Sequence, residues 1–123
     1  VLDFDNENNP NSPIYINADS RYLYRVVENL FGNISKYALE NSRVYIEGKK
    51  NDNTVKIIFK NISKDKLNIS SEELMQRFVR GDKSRTTEGS GLGLSIAQSL
   101  VELQNGKFSL QIDGDLFKVE IEF

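Results

Sequence analysis

The sequence predicts an α+β two-layer sandwich, with helices on one face of a mixed, mostly antiparallel sheet and the other face partly solvated. Three observations predict it. Two segments, 20–39 and Gly91 or Leu92 to Gln104, carry apolar residues at three- and four-residue intervals, as amphipathic helices do. Two pairs of alternating segments meet at short Asn-, Asp- or Gly-containing turns, as antiparallel hairpins do. The order of these segments is not a strict strand–helix alternation, which disfavours a wholly parallel sheet.

Leu2 and Phe4 alternate with Asp3 and Asp5 as a strand fragment, and the polar run Asn6 to Pro13 follows as a loop. Ile14 to Ile16 is a second short strand candidate. Asp19 or Ser20 is placed to cap the first helix, whose inward set is Leu23, Val26, Val27, Leu30, Phe31, Ile34 and Ala38. Arg43 to Lys49 and Thr54 to Lys60 form a hairpin about Asn51-Asp52-Asn53. Ser70 and Glu73 make a capping-box pattern ahead of a short helix reaching roughly Arg77, and 79–90 has no apolar period. The second long helix turns Ile96, Ala97, Leu100 and Val101 inward and stops at Asn105-Gly106. Phe108 to Ile112 and Phe117 to Ile121 close the chain as a hairpin about Asp113-Gly114-Asp115.

The chain has 123 residues, the size of one domain, and 38% hydrophobic residues are enough for a single core. Sixteen basic and 18 acidic residues are interspersed at net charge −2, so no broad basic face offers itself to nucleic acid or to anionic lipid. Without cysteine there are no disulfides, thiolate nucleophiles or zinc–sulfur sites. Without histidine the chain neither accepts a phosphoryl group on imidazole nor uses His as a general base. No apolar run approaches the roughly 20 residues that span a bilayer, and the start does not resemble a signal peptide. The chain reads as a cytosolic portion of something longer.

Chemistry concentrates in two places. On the 20–39 helix, at ~100° per residue, Asn29, Asn33 and Lys36 fall together on a flank roughly 130° from the apolar direction, with Tyr37 between. The Asn33 amide oxygen is a ligand for Mg²⁺ that adds no charge to an anionic nucleotide site, and Asn29, one turn earlier, holds the ion's water shell or a phosphate oxygen. Lys36 neutralises a phosphate and Tyr37 walls the nucleotide. Asparagine is a mediocre helix former, so two stacked one turn apart are poor filler for a solvated face. The second place is Gly89-Ser90-Gly91-Leu92-Gly93-Leu94, where bare backbone N–H groups and the positive end of the following helix meet; that combination binds phosphate. The Lys of a Walker P-loop is missing from it.

Glu28 to Ala38 resembles the N box of sensor histidine kinases, with Ile34 where that family commonly has alanine, and Gly91 to Ala97 resembles its G2 box. Arg77-Phe78-Val79-Arg80-Gly81-Asp82-Lys83-Ser84-Arg85 looks like the F box and the start of the ATP lid. The resemblance runs from about Ile14 to Phe123 and identifies the chain with the catalytic ATP-binding domain of that family. It implies the GHKL ATPase (Bergerat) version of the sandwich, with ATP and Mg²⁺ as ligands. Asn29 and Asn33 would hold the metal; Lys36, Tyr37, Gly89, Gly91, Leu92, Gly93 and Leu94 would line the nucleotide. Arg80 or Arg85 would offset charge on the transferring phosphoryl group, making Asn29, Lys36, Arg80 and Arg85 the catalytic set. The family's adenine turn, Asp-x-Gly-x-Gly, is replaced here by Asn61-Ile62-Ser63-Lys64-Asp65. Asn61 keeps an acceptor oxygen, weaker than a carboxylate by about 1 kcal/mol, and Ser63 helps hold the base.

The resemblance implies a protein-histidine kinase of two-component signalling, which donates the γ-phosphate of Mg-ATP to a histidine on a separate phosphoacceptor domain of the same parent protein and reaches a response regulator indirectly. Neither nucleic acid nor membrane contact is expected of this domain, which would lie in the cytoplasm while the parent is membrane-anchored. In hydrolytic relatives of the superfamily a glutamate one turn before the magnesium asparagine activates water; Asn29 stands there and is no general base, so ATP hydrolysis should be slow. Two alternatives use the same fold: an anti-sigma-factor type of serine protein kinase, and a nucleotide sensor that transfers nothing.

Overall fold

The computed structural model of the chain describes residues 2–6, 14–51, 53–64 and 92–123, with 2–6 and 92 described as backbone. Its elements are β1 (Leu2–Asn6), α1 (Ser20–Tyr37), β2 (Val44–Lys50), β3 (Val55–Ile62), α2 (Leu92–Leu103), β4 (Lys107–Asp113) and β5 (Leu116–Glu122). The five strands form one sheet in the order β1-β2-β3-β5-β4. β1 runs parallel to β2, and every other pairing is antiparallel. This is the mixed, mostly antiparallel α+β sandwich that the sequence predicts.

Period-two alternation decides which face of each strand is apolar, and the register stacks those residues across the sheet. Ile46, Phe59, Val119 and Leu110 form one row; Gly48, Ile57, Ile121 and Phe108 form the next. Val26 and Leu30 of α1 and Leu94, Ala97 and Val101 of α2 close over these rows, each at most 2% exposed. Full burial of an aliphatic side chain is worth roughly 1.5–3 kcal/mol, so this layer is what fixes the helices to the sheet. Phe31, at the margin, sets its ring edge-on to Phe59 at 5.9 Å.

The opposite face carries alternating charge. Lys56 lies 3.2 Å from Glu120 and 3.7 Å from Glu122, and Lys60 lies 3.1 Å from Glu47. A hydrogen bond from Lys56 to Glu120, reinforced by the charges of Glu120 and Glu122, raises the lysine's pKa above its ordinary value. Ile58 sits in register between Glu47 and Glu120 and is only 6% exposed. The long charged side chains cover it with their methylene stems, so this face is partly solvated without being bare.

Turns follow local chemistry. The two-residue connection Gly114-Asp115 between β4 and β5 has positive φ (60°) at Gly114, as a type II′ turn requires of its first central residue. α2 ends in a Schellman motif: Gly106 N–H donates to Val101 O, Asn105 N–H to Glu102 O, and Asn105 takes φ 63°.

Three expectations need correcting. Phe31, placed inward by its spacing, is 46% exposed and meets the core through the edge-on contact with Phe59. Ile14 to Ile16 is not a strand, although its half-buried Ile14 and Ile16 do alternate with exposed Tyr15 and Asn17. β1 and β3 already flank β2, so no hydrogen-bonding edge remains for it there. Ile96 is half-buried rather than inward, because it lies about 100° round the helix from Ala97; Leu94 takes the inward place. The helix expected over Ser70 to Arg77 lies outside the described residues.

Candidate functional site

α1 and α2 lie antiparallel, with a hydrogen bond between them at one end and a close approach at the other. At one end Asp19 caps α1, its carboxylate accepting from the Arg21 N–H at 2.9 Å and the Tyr22 N–H at 3.4 Å. The Arg21 side chain and backbone N–H hold the Asp19 carboxyl below its ordinary pKa of 3.8. The Asp19 N–H donates to Gln104 Oε1 at 2.7 Å, while Gln104 Nε2 donates to Leu100 O at 2.9 Å. Gln104 thus binds the start of α1 to the end of α2. No periodicity or motif marks a glutamine in that role, and sequence reading missed it.

At the other end Asn29 meets Gly93. Asn29 Nδ2 donates to Arg25 O at 2.9 Å, one turn back along α1, which uses the donor half of the carboxamide and sets its orientation. A methyl group on Gly93 would sit 3.4 Å from Asn29 Oδ1. The amide oxygen therefore lies at the first turn of α2, where backbone N–H groups have no intrahelical partner. An oxygen donor and an array of N–H donors share one corner of the fold, suited to a cation and an anion bound side by side.

The C-terminal end of α1 is tied to the chain leaving β3. Leu39 N–H donates to Ile62 O at 2.8 Å, Lys64 N–H to Tyr37 O at 2.9 Å, and Ala38 bridges Ser63. Ser63 N–H in turn donates to Asp115 O at 2.7 Å. These bonds place Lys36 and Tyr37, both half-buried, beside the segment 61–64.

Asn61 is 3% exposed and Ser63 8%; they are the buried polar residues among those described. Asn61 stands in register with Val44 and Phe117, in the third row of the sheet's helix-facing side, which Ile112 completes. Its carboxamide bonds to no described residue. No described side-chain nitrogen or oxygen is sealed off without a partner.

The sequence-predicted residues thus fall in two groups. Asn29 and Gly93 are brought together, and Lys36, Tyr37, Asn61 and Ser63 surround the junction of α1 with β3. Asn33 is half-buried one turn beyond Asn29. Leu94 is 1% exposed and its side chain belongs to the core, so what it offers a ligand is its backbone N–H. Leu92 is the first residue of α2. Arg80, Arg85, Gly89 and Gly91 lie outside the described residues, as do Phe78 and Lys83. Among the described residues no group of three His, Cys, Asp or Glu is placed to hold a metal. No described helix is long and apolar enough to cross a membrane.

The family model described as histidine kinase-, DNA gyrase B-, and HSP90-like ATPase matches residues 18–123, which include both helices and this corner. The chain belongs to that family, and the curated relatives it matches are sensor kinases. The probable sensor protein PcoS of Escherichia coli is 34% identical over 108 residues, covering 85% of this chain and 23% of its own length. The sensor histidine kinase HprS of Escherichia coli (strain K12) is 38% identical over 89 residues, covering 72% of this chain and 20% of its own. The chain therefore spans about a quarter or less of the length of these curated relatives. The fold matches the catalytic domain of the histidine kinase ThkA, in a nucleotide-free form, with TM-score 0.75 at 23% identity over 99% of this chain and 76% of that one. The mycobacterial sensor histidine kinase MprB gives 0.72 at 22% identity, over 99% and 79%.

Proposed function

We propose that this chain binds Mg-ATP and donates the γ-phosphate to a histidine on a separate phosphoacceptor domain of its parent protein, which passes it on to a response regulator. The observation that carries the reading is the apposition of Asn29 Oδ1 to Gly93, the start of α2. Asn29 and Asn33 fit Mg²⁺ by donor chemistry, since both offer neutral hard oxygens and the Asn29 donor half is already used by Arg25 O. When bound, the ion would screen charge between the β- and γ-phosphates.

The chain's own residues supply binding and orientation. N–H groups at the start of α2 hold the phosphate tail, Lys36 neutralises it, Tyr37 walls the nucleotide, and Asn61 and Ser63 meet the base. Arg80 or Arg85 offsets charge on the phosphoryl group in transit. An imidazole nitrogen of the acceptor attacks the γ-phosphorus, the bond to the bridging oxygen breaks, and ADP leaves with that electron pair while the imidazole proton passes to solvent. Catalysis is by position and charge rather than by covalent attachment to this chain. Asn29 is no general base and Glu28 is exposed to solvent, so water is a poor competitor for the phosphoryl group.

The test is incubation of the chain and the parent's phosphoacceptor domain with γ-labelled ATP and magnesium. Acid-labile label on an acceptor histidine is the expected result. Acid-stable label on a serine would assign the anti-sigma type of kinase, and nucleotide binding without transfer would assign a sensor. Fast hydrolysis by the chain alone would contradict the role given to Asn29.

A further inference from the structure

Asn61 interrupts the third row of the sheet, Val44–Asn61–Phe117–Ile112, on a face whose two neighbouring rows carry no polar side chain. A carboxamide 3% exposed and bonded to no described residue is unfavourable by roughly 1–3 kcal/mol unless something meets it. It lies two residues before Ser63, which bridges to Ala38 at the end of α1, and so stands beside the helix that carries Asn29, Asn33 and Lys36. A nucleotide base in the site proposed above would meet it there.

The chemistry of the amide sets which ligand. Oδ1 accepts and Nδ2 donates, and a half-turn about the last side-chain bond exchanges them. No bond to a described residue fixes the choice, in contrast to Asn29, whose Nδ2 is held by Arg25 O. The edge of a 6-aminopurine offers an amino donor beside the N1 acceptor. The edge of a 6-oxopurine offers an oxygen acceptor beside the N1–H donor. Asn61 pairs twice with either by turning over, whereas a carboxylate would only accept and would be repelled by the 6-oxygen.

Resting on the nucleotide site proposed above, we propose that this site takes 6-oxopurine as well as 6-aminopurine nucleoside triphosphates, with the turnable Asn61 carboxamide as the group that admits both. A site with fixed polarity rejects the mismatched edge strongly, because buried groups are then left unpaired; a reversible one does not.

The test is calorimetric titration of the 123-residue chain with ATP and with inosine triphosphate, each with magnesium. Inosine triphosphate carries the 6-oxygen without the added 2-amino bulk of guanine. Inosine triphosphate binding within about tenfold of ATP is the expected result, and Asn61→Asp should widen the gap by about tenfold or more in favour of ATP. A wild-type gap above about tenfold, or an Asn61→Asp gap equal to the wild-type one, overturns the inference while leaving ATP binding intact. Binding of neither nucleotide removes the nucleotide site itself and the inference with it. The wild-type ratio requires no variant, so an Asn61→Asp chain that failed to fold would leave that ratio to decide.

Discussion

Gly93→Ala separates the stability of the α1–α2 corner from its chemistry. Gly93 lies in the first turn of α2 and is not among the positive-φ residues, so alanine adopts its backbone without strain. Helix propensity favours alanine by up to about 1 kcal/mol. Against that, the new methyl would lie 3.9 Å from Asn29 Cβ and Cγ, ordinary contact, and 3.4 Å from Oδ1, a tight one that shifts the oxygen by a few tenths of an ångström. The net effect on stability is between zero and about +1 kcal/mol, or up to roughly 4 °C in Tm for a chain of this size. Function should move the other way. The methyl displaces water from Oδ1 and crowds the space between that oxygen and the helix start, so a ligand using both loses about one charge-assisted hydrogen bond, near 1.5 kcal/mol and roughly tenfold in affinity. Scanning calorimetry and Mg-ATP titration on the same sample read the two effects. A variant with unchanged or higher Tm and unchanged Mg-ATP affinity would refute the assignment of Asn29 Oδ1 to the site.

Gly106→Ala should destabilise the chain by about 1–3 kcal/mol in urea unfolding, since a Cβ there meets Glu122 O at 2.8 Å and Val101 Cγ1 at 2.9 Å, one of them backbone. Asn61→Leu should raise Tm, with about 1 kcal/mol gained from an apolar residue in an apolar row, while weakening ATP binding in titration; a higher Tm with full affinity would remove Asn61 from the site. Asp19→Ala should lower Tm at neutral pH, and the deficit against the wild type should shrink as pH falls below 3.8. The sign follows because a carboxylate whose folded pKa is depressed stabilises above its unfolded value and loses that contribution on protonation.

The elements were legible where one local pattern decides them. Alternation in Phe108 to Ile112 and Phe117 to Ile121, together with Asp113-Gly114, fixes a hairpin without reference to the rest of the chain, and β4 and β5 form it. The sheet order was not legible, because the pairing of β5 with β3 joins segments far apart in sequence and no local residue encodes the choice. Ile14 to Ile16 shows the converse: its alternation was read correctly, but a strand also needs an open edge. In the site, the chemistry of Asn29 and of the glycine turn followed from residue type, while their meeting at Gly93 is tertiary and entered the sequence reading through family resemblance alone. Gln104 left no trace in the sequence, since its role depends on the end of one helix facing the start of another.

The position of Asn61 connects fold to function. Sheet rows two and four residues nearer the β2–β3 turn are filled with Phe59, Ile57 and their neighbours, and the helices close over them. A sequence selected for stability alone would continue that pattern into the third row. Here the row instead holds a carboxamide, at the end of the sheet where α1 terminates and where two backbone hydrogen bonds, bridging Ala38 and Ser63, tie the end of the helix to residues 62–64. Local rules are broken where a site requires it, and the apolar row is broken beside the helix that carries the phosphate and metal ligands proposed above. The Asn29–Gly93 corner and the Asn61 row both adjoin one element, α1, so the proposed base and phosphate contacts would be spaced by helix geometry.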